Sequence, residues 1–236
     1  MAELTLKRQF PQLKVISFDL DDTLWDGTEV ILRAEQAMFD WILKHVPQVL
    51  EQFDKESISI AKMDFAKQNS HLIHKTSQLR EHFLRHLFTL CGVDNTRTAA
   101  RECFLHFYQV RQQVRLFDSV PSTLQRLKQD YQLIAITNGN ACTQTIGLDK
   151  FFALSLNAED FSAPKPDAEI FEYALSSIGI AANQCLHVGD HPYHDMLGAQ
   201  QIGMHTAWLD DGSRQWPHEF LPDIVIQDVV ELISIA

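Results

Sequence analysis

Positive charge is scarce in this sequence relative to negative: 20 Lys and Arg stand against 31 Asp and Glu, a formal net charge of −11. A protein that grips a nucleic-acid backbone needs a basic face, so that class of function is excluded. A small anionic substrate is not excluded, because a metal ion and one lysine can reverse the field locally. Long apolar runs are also missing. No uninterrupted stretch approaches the ~18 residues that suggest a membrane span, and residues 1–10 lack the apolar core of a signal peptide. The four cysteines, Cys91, Cys103, Cys142 and Cys185, are scattered without C-x-x-C spacing and read as reduced thiols. There are no internal repeats and no low-complexity tracts. A content of 45% hydrophobic residues over 236 positions is enough to bury a substantial core. The expectation is a cytoplasmic globular protein with no membrane and no nucleic-acid partner.

Against these absences stands one concentration of charge. The run Val15-Ile16-Ser17-Phe18 is short and apolar enough for one buried strand, and it leads directly into Asp19, Asp21 and Asp22. Carboxylates packed this tightly repel one another and resist ionising unless a cation compensates them. An acidic surface loop would account for Asp21 and Asp22 alone. Asp19 is different, because it stands at the mouth of the strand, where open α/β sheets bind ligands. Asp19 and Asp21 are therefore the first candidate site residues.

The rest of the chain changes character twice. From about Glu29 to Val114 the apolar residues recur at helical spacing. One stripe runs through Val30, Ala34, Met38, Trp41 and Ile42, and Pro47 interrupts it. A weaker helix is predicted over Glu51–Asn69. A third is capped by Ser77 and stopped by Gly92, and a fourth carries Ala100, Cys103, Phe104 and Phe107. Four helices with short connections predict a small bundle. From Leu116 onward strands and helices alternate: strands near Gln132–Ile136, Ala153–Leu156, Cys185–Val188, His205–Trp208 and Asp223–Ile226, with Asp167 capping one helix and another reaching Ile202. Alternation of this kind implies a mostly parallel sheet. The fold predicted is α/β, a Rossmann-like core made of 1–25 and 115–236, interrupted by an all-α insertion at 26–114.

Four strand-ending loops then carry conspicuous polar residues: Asp19 with Asp21, Thr137, Lys165, and Asp190 with Asp195. In a parallel sheet these ends share one edge, so the loops can converge. A carboxylate can attack phosphorus and split hydrolysis into two displacements. A second carboxylate nearby can protonate the leaving alkoxide and then activate water. Lys165, Thr137 and loop N–H groups can stabilise phosphoryl oxygens, and Asp19 with Asp190 offers hard ligands for Mg²⁺.

The motifs Asp19-x-Asp21-Asp22-Thr23, Thr137-Asn138 after a strand, Lys165 between prolines, and Gly189-Asp190 with Asp195 resemble the haloacid dehalogenase superfamily, in that superfamily's order and across the whole core. The resemblance implies Asp19 as nucleophile, Asp21 as general acid/base, and Thr137, Asn138 and Lys165 as phosphate binders. It implies Mg²⁺ on Asp19, Asp190 and the backbone carbonyl of Asp21. Asp195 is expected on Lys165 or in the metal's outer sphere, with Asp22 and Thr23 supporting the loop. The insertion is expected to be an α-helical cap, and Trp25-Asp26-Gly27 its hinge. His82 and His86, four apart on a predicted helix, lack a third ligand and are read as surface residues.

Asp21 favours a phosphate ester over a halide, since a halide leaves without needing a proton. The runs Val30–Glu35, Ile136–Ala141 and Leu186–Asp190 resemble a bacterial subgroup that hydrolyses flavin mononucleotide and 5-amino-6-(5-phospho-ribitylamino)uracil. The partner expected is accordingly a small phosphorylated metabolite, with phosphoglycolate or a sugar phosphate as the alternative. A receiver-like signalling protein is disfavoured, because receivers have neither a second acid at that position nor a helical insertion. A phosphate-binding protein without turnover is also disfavoured, because every motif is intact.

Overall fold

The structure is a computed structural model and describes residues 10–212, 214–217 and 219–234. Its contacts gather the chain into two compact units, one containing residues up to Asp26 together with those from Arg115 onward, the other Gly27–Val114.

The first unit is built on a six-stranded, all-parallel sheet: β1 (Val15–Phe18), β2 (Gln132–Thr137), β3 (Leu154–Asn157), β4 (Cys185–Gly189), β5 (His205–Leu209) and β6 (Ile224–Ile226), in the spatial order β3-β2-β1-β4-β5-β6. β1 pairs with β2 on one side and β4 on the other, so all four of its residues are buried. That position explains why it reads as a continuous apolar run with no alternation. The chain leaves β1 for one side of the sheet and later returns to build the other, so the ends of β1 and β4 flank the crevice where such sheets bind ligands. The α/β parallel sheet expected from the alternation is the fold observed.

The second unit contains four helices, α1 (Gly27–His45), α2 (Lys55–Gln68), α3 (Thr76–Leu90) and α4 (Thr96–Arg111). The predicted stripe of α1 is buried, as are Phe83, Leu84, Leu87 and Phe88 of α3 and Cys103, Phe104 and Phe107 of α4. Two helix starts differ from the sequence prediction. The second helix begins at Lys55, not Glu51, because Asp54 and Ser57 form a reciprocal capping box, while Pro47–Glu51 forms a separate 3₁₀ turn. The third starts at Thr76, ahead of Ser77, because a 3₁₀ turn at Ser70–Leu72 hands the chain on through the bond from Lys75 N–H to the Leu72 carbonyl. His82 and His86 lie exposed on α3.

One polar cluster is built into this helical unit. Glu35 Oε1 of α1 accepts from Arg80 of α3 at 2.7 Å and from Lys62 of α2, and the Arg80 guanidinium lies 3.7 Å from the Phe107 ring centroid of α4. Burial alone would raise the Glu35 pKa, but Arg80 and Lys62 outweigh it and hold the carboxyl below its ordinary range. An acid whose pKa is lower in the folded than in the unfolded state stabilises the fold above the unfolded pKa, and that contribution fades as pH falls through the folded value. Glu35→Gln is expected to lose about 1–3 kcal/mol near neutral pH. Urea unfolding between roughly pH 5 and 3 should then show a shallower acid loss in Glu35→Gln than in the wild type.

Candidate active site

The helix that follows the third strand, α5 (Ala168–Ile178), is capped by Asp167, whose side chain accepts from the Glu169 N–H. This cap fixes the end of the loop carrying Lys165, and a second device fixes its middle. Asn138 Nδ2 donates to the Lys165 carbonyl at 3.0 Å while Asn138 Oδ1 accepts from the Lys165 N–H at 2.8 Å. The Asn138 side chain therefore clamps the lysine backbone at both polar groups. This clamp engages the amide oxygen and one of the two amide N–H donors, and Asn138 also borders the cavity beside Lys165.

So held, Lys165 is 1% exposed, and its ammonium donates to Asp19 Oδ1 at 2.6 Å, Asp195 Oδ1 at 2.6 Å and the Ile136 carbonyl at 2.8 Å. Asp19 follows β1 and its N–H donates to the Val188 carbonyl of β4 at 2.8 Å. Asp195 comes from the π-type turn Pro192–Leu197, where the sequence predicts a strand-ending loop leading into a helix. The Met196 N–H reaches back five residues to the His191 carbonyl, and a turn widened in this way re-aims a side chain. Asp195 comes so close to Gly189 that a Cβ there would sit 2.5 Å from the Asp195 Cγ. Glycine at 189 is thus a requirement of packing against the carboxylate.

Behind Asp195 a buried polar chain runs back into the sheet. His187 Nε2 lies 3.3 Å from Asp195 Oδ1, and His187 Nδ1 lies 2.7 Å from Ser17 Oγ. Burial lowers the His187 pKa against the pull of Asp195, which favours the neutral ring. An Nε2–H donating to Asp195, with Nδ1 accepting from Ser17, satisfies both contacts. Asp195 Oδ2 also accepts from the His191 N–H at 3.0 Å. Neither Ser17 nor His187 was marked by the sequence as a site residue, because each looks like one more position in a buried strand.

The remaining residues surround a cavity of about 120 Å³ bordered by Asp19, Asp21, Thr137, Lys165, Asp190 and Arg214, among others. The Trp25 indole donates to Asp21 Oδ1 at 2.8 Å and so orients that carboxylate. Asp22 adopts a left-handed backbone, φ 60°, and its N–H donates to the Trp25 carbonyl. Thr23 Oγ1 lies 3.4 Å from Asp190 Oδ1. Thr137 Oγ1 accepts from the Gly139 N–H at 3.0 Å, which leaves its O–H to donate. Asp190 also accepts an ion pair from Arg214, a residue within no recognisable motif.

The electrostatics are unbalanced toward negative charge. Burial raises the Asp19 pKa well above the ordinary carboxylate value, with Asp195 and Asp190 adding to the effect and Lys165 opposing it. Burial and Asp195 push Asp190 up to about 7 against the pull of Arg214. Burial also disfavours the charged form of Lys165 and Asp195, but here their mutual attraction prevails: Lys165 is raised and Asp195 lowered. One ammonium shared by two carboxylates compensates one of them. Oxygen atoms of Asp19, Asp190 and Asp195 all lie within 4.8 Å of one another. This hard-oxygen set with surplus negative charge fits a divalent cation such as Mg²⁺. Asp195 is engaged by Lys165, His187 and the His191 N–H, so Asp19 and Asp190 are the better side-chain ligands.

A family model described as haloacid dehalogenase-like hydrolase matches residues 13–203. The 5-amino-6-(5-phospho-D-ribitylamino)uracil phosphatase of Escherichia coli K12 is 26% identical over 97% of this chain and 98% of its own. The glyceraldehyde 3-phosphate phosphatase of Pyrococcus abyssi is 28% identical over 85% of this chain and 82% of its own. Among solved structures, a 2-haloacid dehalogenase from Pseudomonas syringae pv. Tomato superposes with a TM-score of 0.88 at 36% identity, covering 94% of this chain and 97% of that one. The motif order, the parallel sheet with its acidic edge and the family match agree: this chain belongs to the haloacid dehalogenase-like hydrolases.

Proposed function

We propose that this chain is a Mg²⁺-dependent phosphomonoesterase that works through an aspartyl-phosphate on Asp19. The observation that carries the reading is the pair of carboxylates on one short loop in two different settings. Asp19 is buried against the Lys165 ammonium, whereas Asp21 borders the cavity with one oxygen held by the Trp25 indole. Asp19 attacks phosphorus, and the P–O bond to the leaving group breaks. Asp21 donates its proton to the departing alkoxide and then takes one from the water that attacks the acyl phosphate. The Thr137 hydroxyl donates to a phosphoryl oxygen. Lys165 keeps Asp19 aimed and offsets its charge. Mg²⁺ held by Asp19, Asp190 and the Asp21 carbonyl would supply the positive charge that lets an anionic nucleophile meet an anionic substrate.

The helical unit is read as the cap, and the substrate as a small phosphorylated metabolite of the kind named for the E. coli relative, with flavin mononucleotide beside it. Motif resemblance at Val30–Glu35 and Leu186–Asp190 supports that choice, and so does the near full-length match. The name of the P. syringae structure favours a second reading, haloacid dehalogenation. Asp21 argues against it, because a halide leaving group takes no proton.

The test is Mg²⁺-dependent phosphate release from an aryl phosphate, followed by a panel of flavin mononucleotide, 5-amino-6-(5-phospho-ribitylamino)uracil, phosphoglycolate and sugar phosphates. Asp19→Asn is expected to abolish turnover, and Asp21→Asn to lower kcat by about 10²–10⁴-fold. Chloride release from a 2-haloacid, with no phosphate release from any ester, would establish the second reading instead. The clamp on Lys165 generates a separate expectation. Asn138→Ala should lower kcat about 10–100-fold with little change in KM, as loss of an outer support does. Lys165→Met strands buried carboxylates and should cost about 3–5 kcal/mol in urea unfolding.

A further inference from the structure

An ammonium has three N–H donors, and all three of Lys165 are engaged by Asp19, Asp195 and the Ile136 carbonyl. A phosphoryl group brings up to two negative charges and needs donors that are not already committed. His191 and His194 also border the cavity, but an imidazole is not a fixed positive charge. Among the described residues bordering the cavity, the cation besides Lys165 is Arg214. Its side chain is 34% exposed, against 1% for Lys165, so it can present N–H groups to an incoming anion.

Described residues on both sides of Arg214 are anchored. The Gly212 N–H donates to Asp210 Oδ1 at 3.0 Å, the Trp216 ring packs 4.9 Å from that of Trp208, and the Trp216 indole donates to the Phe220 carbonyl at 2.7 Å. Trp208 in turn donates to the Asp190 carbonyl at 2.9 Å. The described residues on either side of Arg214 are thus tied to groups beside Asp190, and the Arg214 guanidinium donates to Asp190 Oδ2. This is a carboxylate that a divalent cation would also claim.

Resting on the phosphomonoesterase reading, we propose that Arg214 is a substrate-binding residue that exchanges one anion for another. It pairs with Asp190, gives that carboxylate up to the divalent cation, and turns its planar guanidinium to the phosphoryl oxygens of the substrate. A guanidinium suits the task because its fork of donors matches phosphate geometry. The exchange makes Arg214 a competitor of the cation and a partner of the anion. Cation and phosphate then bind with positive coupling, and by linkage each favours the other.

Two binding measurements test this, using Arg214→Met and Arg214→Lys beside the wild type. Mg²⁺ is titrated calorimetrically into the substrate-free protein, and inorganic phosphate is titrated at saturating Mg²⁺. Arg214→Met should bind Mg²⁺ several-fold more tightly, because a competing cation is gone, and phosphate about 10–100-fold more weakly. Turnover should show the loss mainly in KM. Arg214→Lys keeps the competing charge without the fork, so its Mg²⁺ affinity should stay near wild type while phosphate still weakens. A residue that merely anchored its loop would, on removal, weaken both ligands. Weaker or unchanged Mg²⁺ binding in Arg214→Met, or unchanged phosphate binding, overturns the proposal. A wild type that binds phosphate with Mg²⁺ yet hydrolyses no ester would sink the phosphomonoesterase reading and leave the binding result standing. Should Arg214→Met not fold, Arg214→Gln replaces it in both titrations under the same criteria.

Discussion

A single ammonium ion between two buried carboxylates organises the acidic edge of the sheet. Lys165 lies 2.6 Å from both Asp19 and Asp195, and three separate pieces of chain must be in place for that to happen: the end of β1, the loop before α5 and the π-type turn after β4. Taking charges out of water costs several kcal/mol per ion, and only close pairing with further hydrogen bonds offsets it. The supporting bonds are there. Asn138 grips the lysine backbone, His187 and the His191 N–H hold Asp195, and the Ile136 carbonyl takes the third ammonium hydrogen. Such an arrangement is a poor way to stabilise a fold and a good way to hold reactive groups still.

The sheet makes this arrangement attainable. With β1 central and β4 beside it, the loops bearing Asp19 and Asp190 leave from neighbouring strand ends, and the loop of Thr137 leaves from the strand on the other side. The surplus of carboxylate over cation is what a divalent ion would balance; the Asp190 pKa is raised to about 7 chiefly by burial, with Asp195 adding to it. The family explains why the motifs occur in this order. The physical chemistry explains why an acid-rich edge with one buried lysine suits transfer of a phosphoryl group.

Much of this was legible in the sequence because crowded carboxylates after an apolar run have no folding purpose of their own. The alternation of strands and helices, the cap at Asp167, and the buried stripes of α1, α3 and α4 follow from local patterns, and the structure shows them. What was not legible depends on contacts across long stretches of chain. Asn138 reads as a phosphate ligand by its place in a motif, yet its side chain serves a lysine 27 residues away. Ser17 and His187 sit in strands where a polar residue gives no hint of its partner. Arg214 follows no motif, and only folding brings it to Asp190. The π-type turn is equally silent, since nothing in Pro192–Leu197 distinguishes it from ordinary helix by periodicity.

The central claim is that Asp19 carries the phosphoryl group during turnover. Rapid acid quench of the enzyme turning over a radiolabelled phosphate ester, followed by peptide mapping, tests it most directly. The account predicts label on the peptide containing Asp19, its accumulation in Asp21→Asn if release is slowed more than formation, and its absence in Asp19→Asn. Full turnover by the wild type with no phosphate on Asp19 at any quench time would contradict it.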